Sequence, residues 1–359
     1  EEEWPQRVTE IAKQKQLNAA TSGGISLKPV YTPSDIEGIN YEDISLPGQF
    51  PYTRGFNPLQ YQIQGWMMRQ PTALGATRDT RERKELLERL GMAFHVGEEG
   101  EYRATGYTFG FDIPTQQGYD PDAPEARGRV GRDGATFCNM WDLETLLEGR
   151  ELENTEMIFI TPDTSLPMVA QYAVYAERRG VPLEKLQLKA CNIAYHTWFW
   201  DTAGFPCKYA IRLCPELIKY LHNNIPQAQL QSITGYNPAE GGATPAMEVA
   251  FTIATAVAIT EECVKIGLAP DDVAPGFYGH DHLGLDFFET ICKFRAKRRM
   301  WAKIFKERFG CKKPESLRLR NFPQTGGSLL PAQEPENNII RTTLMALAGV
   351  LAGVDGMWL

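Results

Sequence analysis

The chain reads as an α/β protein, a (β/α)8 TIM barrel preceded by an extended N-terminal arm. Three observations carry this reading. From about residue 104 onward, short runs rich in apolar, β-branched and aromatic residues alternate with helical patterns, as in a parallel sheet covered by crossover helices. Counting a weak run near Gly134–Phe137, the runs number about eight, the strand count of that barrel. The composition, 43% hydrophobic and 23% charged over 359 residues, suits a globular chain with a large core. A doubly wound open sheet shows the same alternation and stays open as the alternative, because periodicity does not separate the two.

Residues 1–55 form the arm. EEEWPQRVTEIAKQKQL predicts one helix, after which Ser22-Gly23-Gly24 and Pro29, Pro33, Pro47 and Pro51 prevent long regular structure. The barrel occupies 56–359. Strands are expected within 107–113, 157–161, 186–190, 230–234, 273–278, 317–322 and 353–359. Helices are expected over 168–180 and 245–267, each closed by a glycine. A third, amphipathic helix over 285–310 carries Lys293, Arg295, Lys297, Arg298, Arg299 and Lys303. Its basic residues read as a solvated face, with an anchor for the phosphates of a nucleotide tail as the second reading. The sequence stops on what would be the eighth strand, so the closing helix is expected to be absent or to lie beyond Leu359.

Charge and cysteine usage exclude several classes. A net charge of −8 argues against nucleic-acid binding, which needs a basic footprint. The seven cysteines form no CxxC pair and no regular spacing, so neither a disulfide framework nor a zinc site is expected. Buried, reduced thiols in a cytoplasmic protein are the expectation. No run of about eighteen apolar residues predicts a membrane span. The opening EEEWPQRV has neither the basic nor the apolar segment of a secretory leader.

Few motifs stand out as chemistry. GxGxxG and GxxxxGK[ST] phosphate loops are absent. GYNPAEGGATPAMEVAF (235–251) is a loop leading into a helix, whose start either meets a polar ligand edge or is an ordinary connection. GHDHLG (279–284) places His280 and His282 on one face at a strand end. They are metal ligands, proton carriers, the polar wall of a pocket, or loop histidines satisfied by ordinary hydrogen bonds. CNIAYHTWFWDTAGFP (191–206) is dense in aromatics and reads as core or pocket lining.

Several ordered segments, from about residue 30 to the end, resemble the substrate-binding barrel of the methylmalonyl-CoA mutase family. They are YTPSDIEG (31–38), PGQFPYTRG (47–55), WMMRQ (66–70), GFDIPTQQGYDPDAP (110–124), SITGYNPAEGGAT (232–244), APGFYG (274–279), DFFETICKFRAKRRMWAKI (286–304) and LRNFPQTGGSLLPAQEPENNIIRT (319–342). FDIPTQ and DFFE are more similar to the isobutyryl- and 2-hydroxyisobutyryl-CoA mutase branch. The resemblance implies a barrel whose axis is threaded by the pantetheine arm of an acyl-CoA substrate, with adenosylcobalamin capping its C-terminal face. The family's cobalamin-binding DxHxxG motif does not occur here, so the cofactor is expected on a separate domain or a small partner subunit within a hetero-oligomer. The implied reaction is a radical 1,2 rearrangement of the carbon skeleton, in which the protein positions the reacting atoms and excludes water.

The resemblance assigns the catalytic pocket to Gln64, Pro71, Trp200 and Asn237. It assigns substrate and CoA contacts to Asn57, Arg69, Gln70, Gln116, Tyr278 and Gln324, and the corrin side to Tyr236 and Glu240. No metal ligand is assigned. The pocket departs from the family: Trp200 aligns with the arginine that pairs with a substrate carboxylate, Gln64 with a second arginine, Pro71 with a tyrosine, and Asn237 with the histidine that meets the thioester carbonyl. The family's RLS reads Gly276-Phe277-Tyr278. An indole cannot form the bidentate pair that fixes a carboxylate. The expected activity is therefore a mutase for an acyl-CoA other than methylmalonyl-CoA. The alternatives are a non-catalytic paralogue that partners a catalytic chain, and a barrel enzyme of another class using His280 and His282 with a metal.

Overall fold

The computed structural model describes residues 3–15, 19–62, 65–69, 73–90, 94–96, 102–104, 107–160, 164–191 and 207–359. Its strands are β1 (Met67–Arg69), β2 (Phe94–Val96), β3 (Tyr102–Ala104), β4 (Tyr107–Gly110), β5 (Glu156–Ile160), β6 (Gln187–Cys191), β7 (Gln231–Thr234), β8 (Phe277–His280), β9 (His282–Leu283), β10 (Arg320–Asn321), β11 (Gln324–Thr325) and β12 (Gly356–Trp358). Its helices are α1 (Glu3–Gln14), α2 (Tyr41–Ile44), α3 (Thr77–Arg89), α4 (Ile113–Gln117), α5 (Met140–Leu146), α6 (Ser165–Arg178), α7 (Cys207–Asn224), α8 (Tyr236–Glu240), α9 (Pro245–Lys265), α10 (Pro270–Val273), α11 (Phe287–Glu307) and α12 (Asn337–Ala352). None of the described helices is long and apolar enough to cross a membrane.

The architecture is mixed α/β with parallel sheets. Hydrogen-bonded neighbours run β1-β12-β11-β9, β10-β8-β7 and β4-β5-β6, all parallel, and β2-β3 is a separate antiparallel pair. Single bridges extend these rows. Lys189 pairs with Gln229 beside β6 and β7, and Ala135 pairs with both Gly75 and Phe111. The backbone N–H of Phe322 donates to Gly279 O and that of Gln324 to Asp281 O, both at 2.8 Å, so β10 and β11 run on beside β8 and β9. The weak run at 134–137 is therefore not a strand; it contributes one bridging residue.

Alternation along each strand sorts side chains into two sets. Met157 and Phe159 of β5, Leu188 of β6, Ile233 of β7 and Phe277 of β8 join the large helix-facing core with α6, α7 and α9. Ile158, Tyr278 and Phe322 point the other way and form a small buried cluster of their own, with Met67 and Ile160 against it. β5 and β8 are not adjacent in the pairing order, so these side chains meet across the face opposite the helices.

The predicted helices sit close to their expected places. The expected strand 107–113 is cut short because Asp112 caps α4: its Oδ1 accepts from Thr115 N at 2.9 Å and its Oδ2 from Gly131 N at 2.6 Å. The basic face of α11 needs correction. Lys293, Lys297 and Arg298 are buried, not solvated. Lys297 Nζ lies 2.6 and 2.7 Å from the two oxygens of Asp281, and Lys293 Nζ lies 2.6 Å from Glu248 Oε2. Arg298 donates to Tyr52 O, Thr53 O, Ala352 O and Gly353 O, tying the arm to the end of α12. Glycines leave room for these ions: a Cβ on Gly279 would stand 2.8 Å from Asp281 Oδ2 and 2.9 Å from Lys297 Nζ. Five of the seven cysteines have described side chains, all free thiols; Cys138 and Cys292 are exposed, against the expectation of burial, and Cys214, Cys263 and Cys311 are buried.

Candidate functional site

Two polar groups lie at opposite ends of the same strands. At the strand starts, a cavity of about 370 Å³ is lined by Asn57, Gln60, Tyr61, Glu156, Lys189, Gln229, Arg320, Phe322 and Asp355, among others. Lys189 Nζ is 2.7 Å from Glu156 Oε1 and 5.0 Å from the centre of the Phe322 ring. Asp355 Oδ2 accepts from Asn321 N at 2.7 Å. Burial pushes the Asp355 carboxyl up to about 6, against the opposing pull of that hydrogen bond, Arg320 and Arg298.

At the strand ends, β7 runs through Gly235 into the short helix α8, which carries Tyr236, Asn237 and Glu240. β8 and β9 supply His280 and His282, β11 supplies Gln324, and β12 supplies Trp358. Register places Gln324 opposite both His282 and Trp358, and His280 opposite Thr234. The His280 ring lies edge-to-face with Tyr236 at 5.5 Å and with Trp358 at 5.1 Å between ring centres. Its Nε2 is 3.2 Å from Gln324 Oε1. Tyr236 is further held by its hydroxyl, which accepts from Gly327 N at 3.3 Å.

His282 is fixed from behind. Its backbone N–H donates to Glu248 Oε1 at 2.8 Å, and Lys293 binds its carbonyl oxygen at 2.5 Å. Its Nε2 stands 3.2 Å from Glu240 Oε1, yet neither atom has a hydrogen bond of proper alignment, and both are buried. Burial lowers both histidines to about 4, and for His282 the nearby Lys293 adds to the effect. Both rings are therefore neutral at neutral pH. Burial likewise raises the Tyr236 phenol and the Glu248 carboxyl, the latter against Lys293. Among the described residues, no group of three or more His, Cys, Asp or Glu is arranged to hold a metal.

The residues singled out from sequence distribute over both ends. Asn237, Tyr236, Glu240 and Gln324 come together at the strand ends. Asn57 lies at the other mouth, with its Oδ1 accepting from Leu59 N. Gln116 is buried on α4, its amide donating to Phe111 O while Oε1 has no partner. Tyr278 is buried against Phe322 at 6.2 Å between ring centres. Arg69 occupies β1 opposite Trp358, and its side chain is outside the described residues. Gln64, Gln70, Pro71 and Trp200 also lie outside them. Sequence reasoning missed Lys189, Arg320, Asp355 and Trp358. A charged residue inside an apolar parallel-strand run, as Lys189 is within LQLKA, was the available signal.

Residues 20–359 match the family model described as methylmalonyl-CoA mutase. The 2-hydroxyisobutanoyl-CoA mutase large subunit of Aquincola tertiaricarbonis is 34% identical over 347 residues, which cover 96% of this chain and 60% of that protein. The methylmalonyl-CoA mutase large subunit of Streptomyces virginiae is 34% identical over 350 residues, 97% of this chain and 46% of its own length. The methylmalonyl-CoA mutase of Escherichia coli (strain K12) is 31% identical over 362 residues, 99% and 49% respectively. The chain thus spans about half the length of these curated relatives.

Proposed function

We infer the function from one premise: the chain belongs to the methylmalonyl-CoA mutase family. We propose that it is the substrate-binding part of an adenosylcobalamin-dependent mutase that rearranges the carbon skeleton of an acyl-CoA other than methylmalonyl-CoA. In this reading residues 1–55 are an arm and 56–359 a (β/α)8 barrel. The bridges Lys189–Gln229, Gly75–Ala135 and Phe111–Ala135 support a ring closed in the order β1, β4, β5, β6, β7, β8/β9, β10/β11, β12. The observation that carries the function is the placement of two polar groups at the two ends of these strands. Arg320 at the strand starts, beside the Lys189–Glu156 pair, suits a phosphate-bearing tail, and Tyr236, Asn237, His280 and Gln324 suit an acyl head.

The C-terminal end fits the cofactor in one respect. Glu240 Oε1 and His282 Nε2 are buried without hydrogen bonds, and the amide-fringed edge of a corrin would satisfy them. Adenosylcobalamin, carried by a small DxHxxG partner chain in a hetero-oligomer, would supply the organic radical that abstracts a substrate hydrogen. This chain's own residues do the rest. Asn237 donates to an acyl oxygen, the Tyr236–His280–Trp358 aromatic walls exclude water, and the histidines, neutral by burial, bring no charge to the site. The selection against methylmalonyl-CoA rests on Trp200 and on the commitment of Lys293 and Lys297 to Glu248 and Asp281.

One observation favours a second reading, a non-catalytic partner of a catalytic chain. Ile158, Tyr278 and Phe322 are 3%, 5% and 8% exposed and close together beside Lys189 and Arg320, on the path proposed for a pantetheine arm. The deciding experiment adds the cobalamin-binding subunit and adenosylcobalamin, then screens acyl-CoA thioesters for isomerisation by mass spectrometry. Conversion of one thioester, with methylmalonyl-CoA unconverted, supports the catalytic reading. A complete complex that converts none removes it.

A further inference from the structure

Trp358 has a polar atom that the fold leaves unmet. It ends β12, and its neighbour Met357 packs outward with Leu283, Phe294 and Met345. Alternation therefore turns the indole to the opposite side, toward His280 and Gln324. The side chain is 9% exposed, and its Nε1 is buried with no hydrogen-bond partner. An indole N–H can only donate, and a buried donor without an acceptor is rare enough in folded proteins to need a cause. Folding would have been better served by phenylalanine, which fills similar space with no donor to desolvate.

We propose that Trp358 is a ligand-binding residue whose N–H donates to the carbonyl oxygen of a bound acyl thioester. The inference rests on the acyl-CoA reading given above and adds to it a donor on β12. His280 frames the position from one side. Its ring packs edge-to-face on the indole at 5.1 Å, while Gln324 Oε1 takes up its Nε2 at 3.2 Å. His280 is thereby engaged with Gln324 through that nitrogen, and the indole N–H stays unclaimed. The pocket edge so formed is flat and aromatic with a single neutral donor, which matches an uncharged carbonyl beside a sulfur and an alkyl chain. Burial keeps the imidazole neutral, so the ring brings no charge to this edge. Arg69 stands in register with Trp358 on β1.

The test compares two probes on the intact chain by calorimetry: butyryl-CoA, and butyl-CoA, the thioether that lacks only the carbonyl oxygen. A site built around a donor rejects the analogue that cannot accept. The protein is expected to prefer the thioester by about tenfold, the size of one well-placed hydrogen bond. In Trp358→Phe the thioester should weaken about tenfold while the thioether is unchanged. The unfolding midpoint of Trp358→Phe should equal or exceed that of the parent, because no internal partner is lost. An unchanged thioester-to-thioether ratio in Trp358→Phe overturns the proposal and leaves the acyl-CoA reading standing. A lowered midpoint also overturns it, by revealing an internal acceptor. Failure of both probes to bind removes the acyl-CoA reading and this inference with it.

Discussion

Replacing Lys297 by methionine should be among the most costly single changes in this protein. Asp281 and Lys297 are each 1% exposed, with Nζ at 2.6 and 2.7 Å from the two carboxylate oxygens. Asp281 lies between His280 and His282 and faces α11, away from them. Bringing both ions out of water costs several kcal/mol each, and their attraction offsets this only while both are present. Lys297→Met removes the counter-charge and strands a carboxylate in apolar surroundings, so stability should fall by about 3 to 5 kcal/mol. Asp281→Leu strands the ammonium with a similar loss. The double variant Asp281→Leu/Lys297→Met strands nothing and fills the space with hydrocarbon. Its stability should lie within about 1 kcal/mol of the parent, or above it, as buried pairs replaced by apolar residues behave elsewhere. Urea unfolding of the four proteins gives the coupling energy, about 5 kcal/mol or more between the two positions. Single losses that simply add in the double variant would refute the reasoning, because two positions acting independently cannot be a buried ion pair.

Two other perturbations test the frame of the site. Asp355 is held at about 6 by burial, above its ordinary 3.8, so the folded state binds a proton more readily than the unfolded state. Its contribution is fully present below pH 3.8 and is lost as pH rises through 6. Asp355→Asn should therefore become more stable relative to the parent by about 2 to 3 kcal/mol between pH 4 and pH 7, read from urea midpoints across that range. A flat difference would mean that the carboxylate is better solvated than its surroundings indicate. Arg298 donates to four backbone carbonyls and is 1% exposed. Arg298→Met and Arg298→Lys should both release the arm, seen as faster hydrogen exchange at Tyr52–Gly55, with lysine failing to rescue because one ammonium cannot span the carbonyls of both segments.

The sequence made the wall of the fold legible and its charged joints illegible. Parallel strands covered by helices are apolar for several residues, so the runs holding β4 through β8 stand out. The first strand does not, because Met67–Arg69 is three residues long and lies between segments with no period. Lys293 and Lys297 read as solvated because a charge count along α11 sees only α11. Their acceptors come from α9, 45 residues earlier, and from the turn between β8 and β9. The histidine pair was visible as a cluster on one face. That both rings are neutral was not, because burial is set by Tyr236, Trp358 and Gln324, which three separate elements supply.

The motifs that carry the family resemblance are largely devices of backbone architecture. In FDIPTQ, Asp112 caps α4 and holds Gly131, while Gln116 fastens its own amide to Phe111 O. In the segment GYNPAEGGATPAMEVAF, Thr244 caps α9 and Glu248 anchors His282 from behind. In DFFETICKFRAKRR, Asp286 caps α11, Glu289 binds the arm at Thr21, Ser22 and Gly23, and Arg298 binds it again at Tyr52 and Thr53. Losing any of these leaves buried donors or acceptors unpaired, a cost that does not depend on the ligand. Residues that line the interior carry no such penalty. Ile158, Tyr278 and Phe322 pack against one another there and supply none of these caps and clamps. The proposed passage of a pantetheine arm turns on the width left between Tyr278, Phe322 and Ile158. If Tyr278→Ser opens that width, it should raise the on-rate for CoA thioesters; an unchanged rate would place the passage elsewhere.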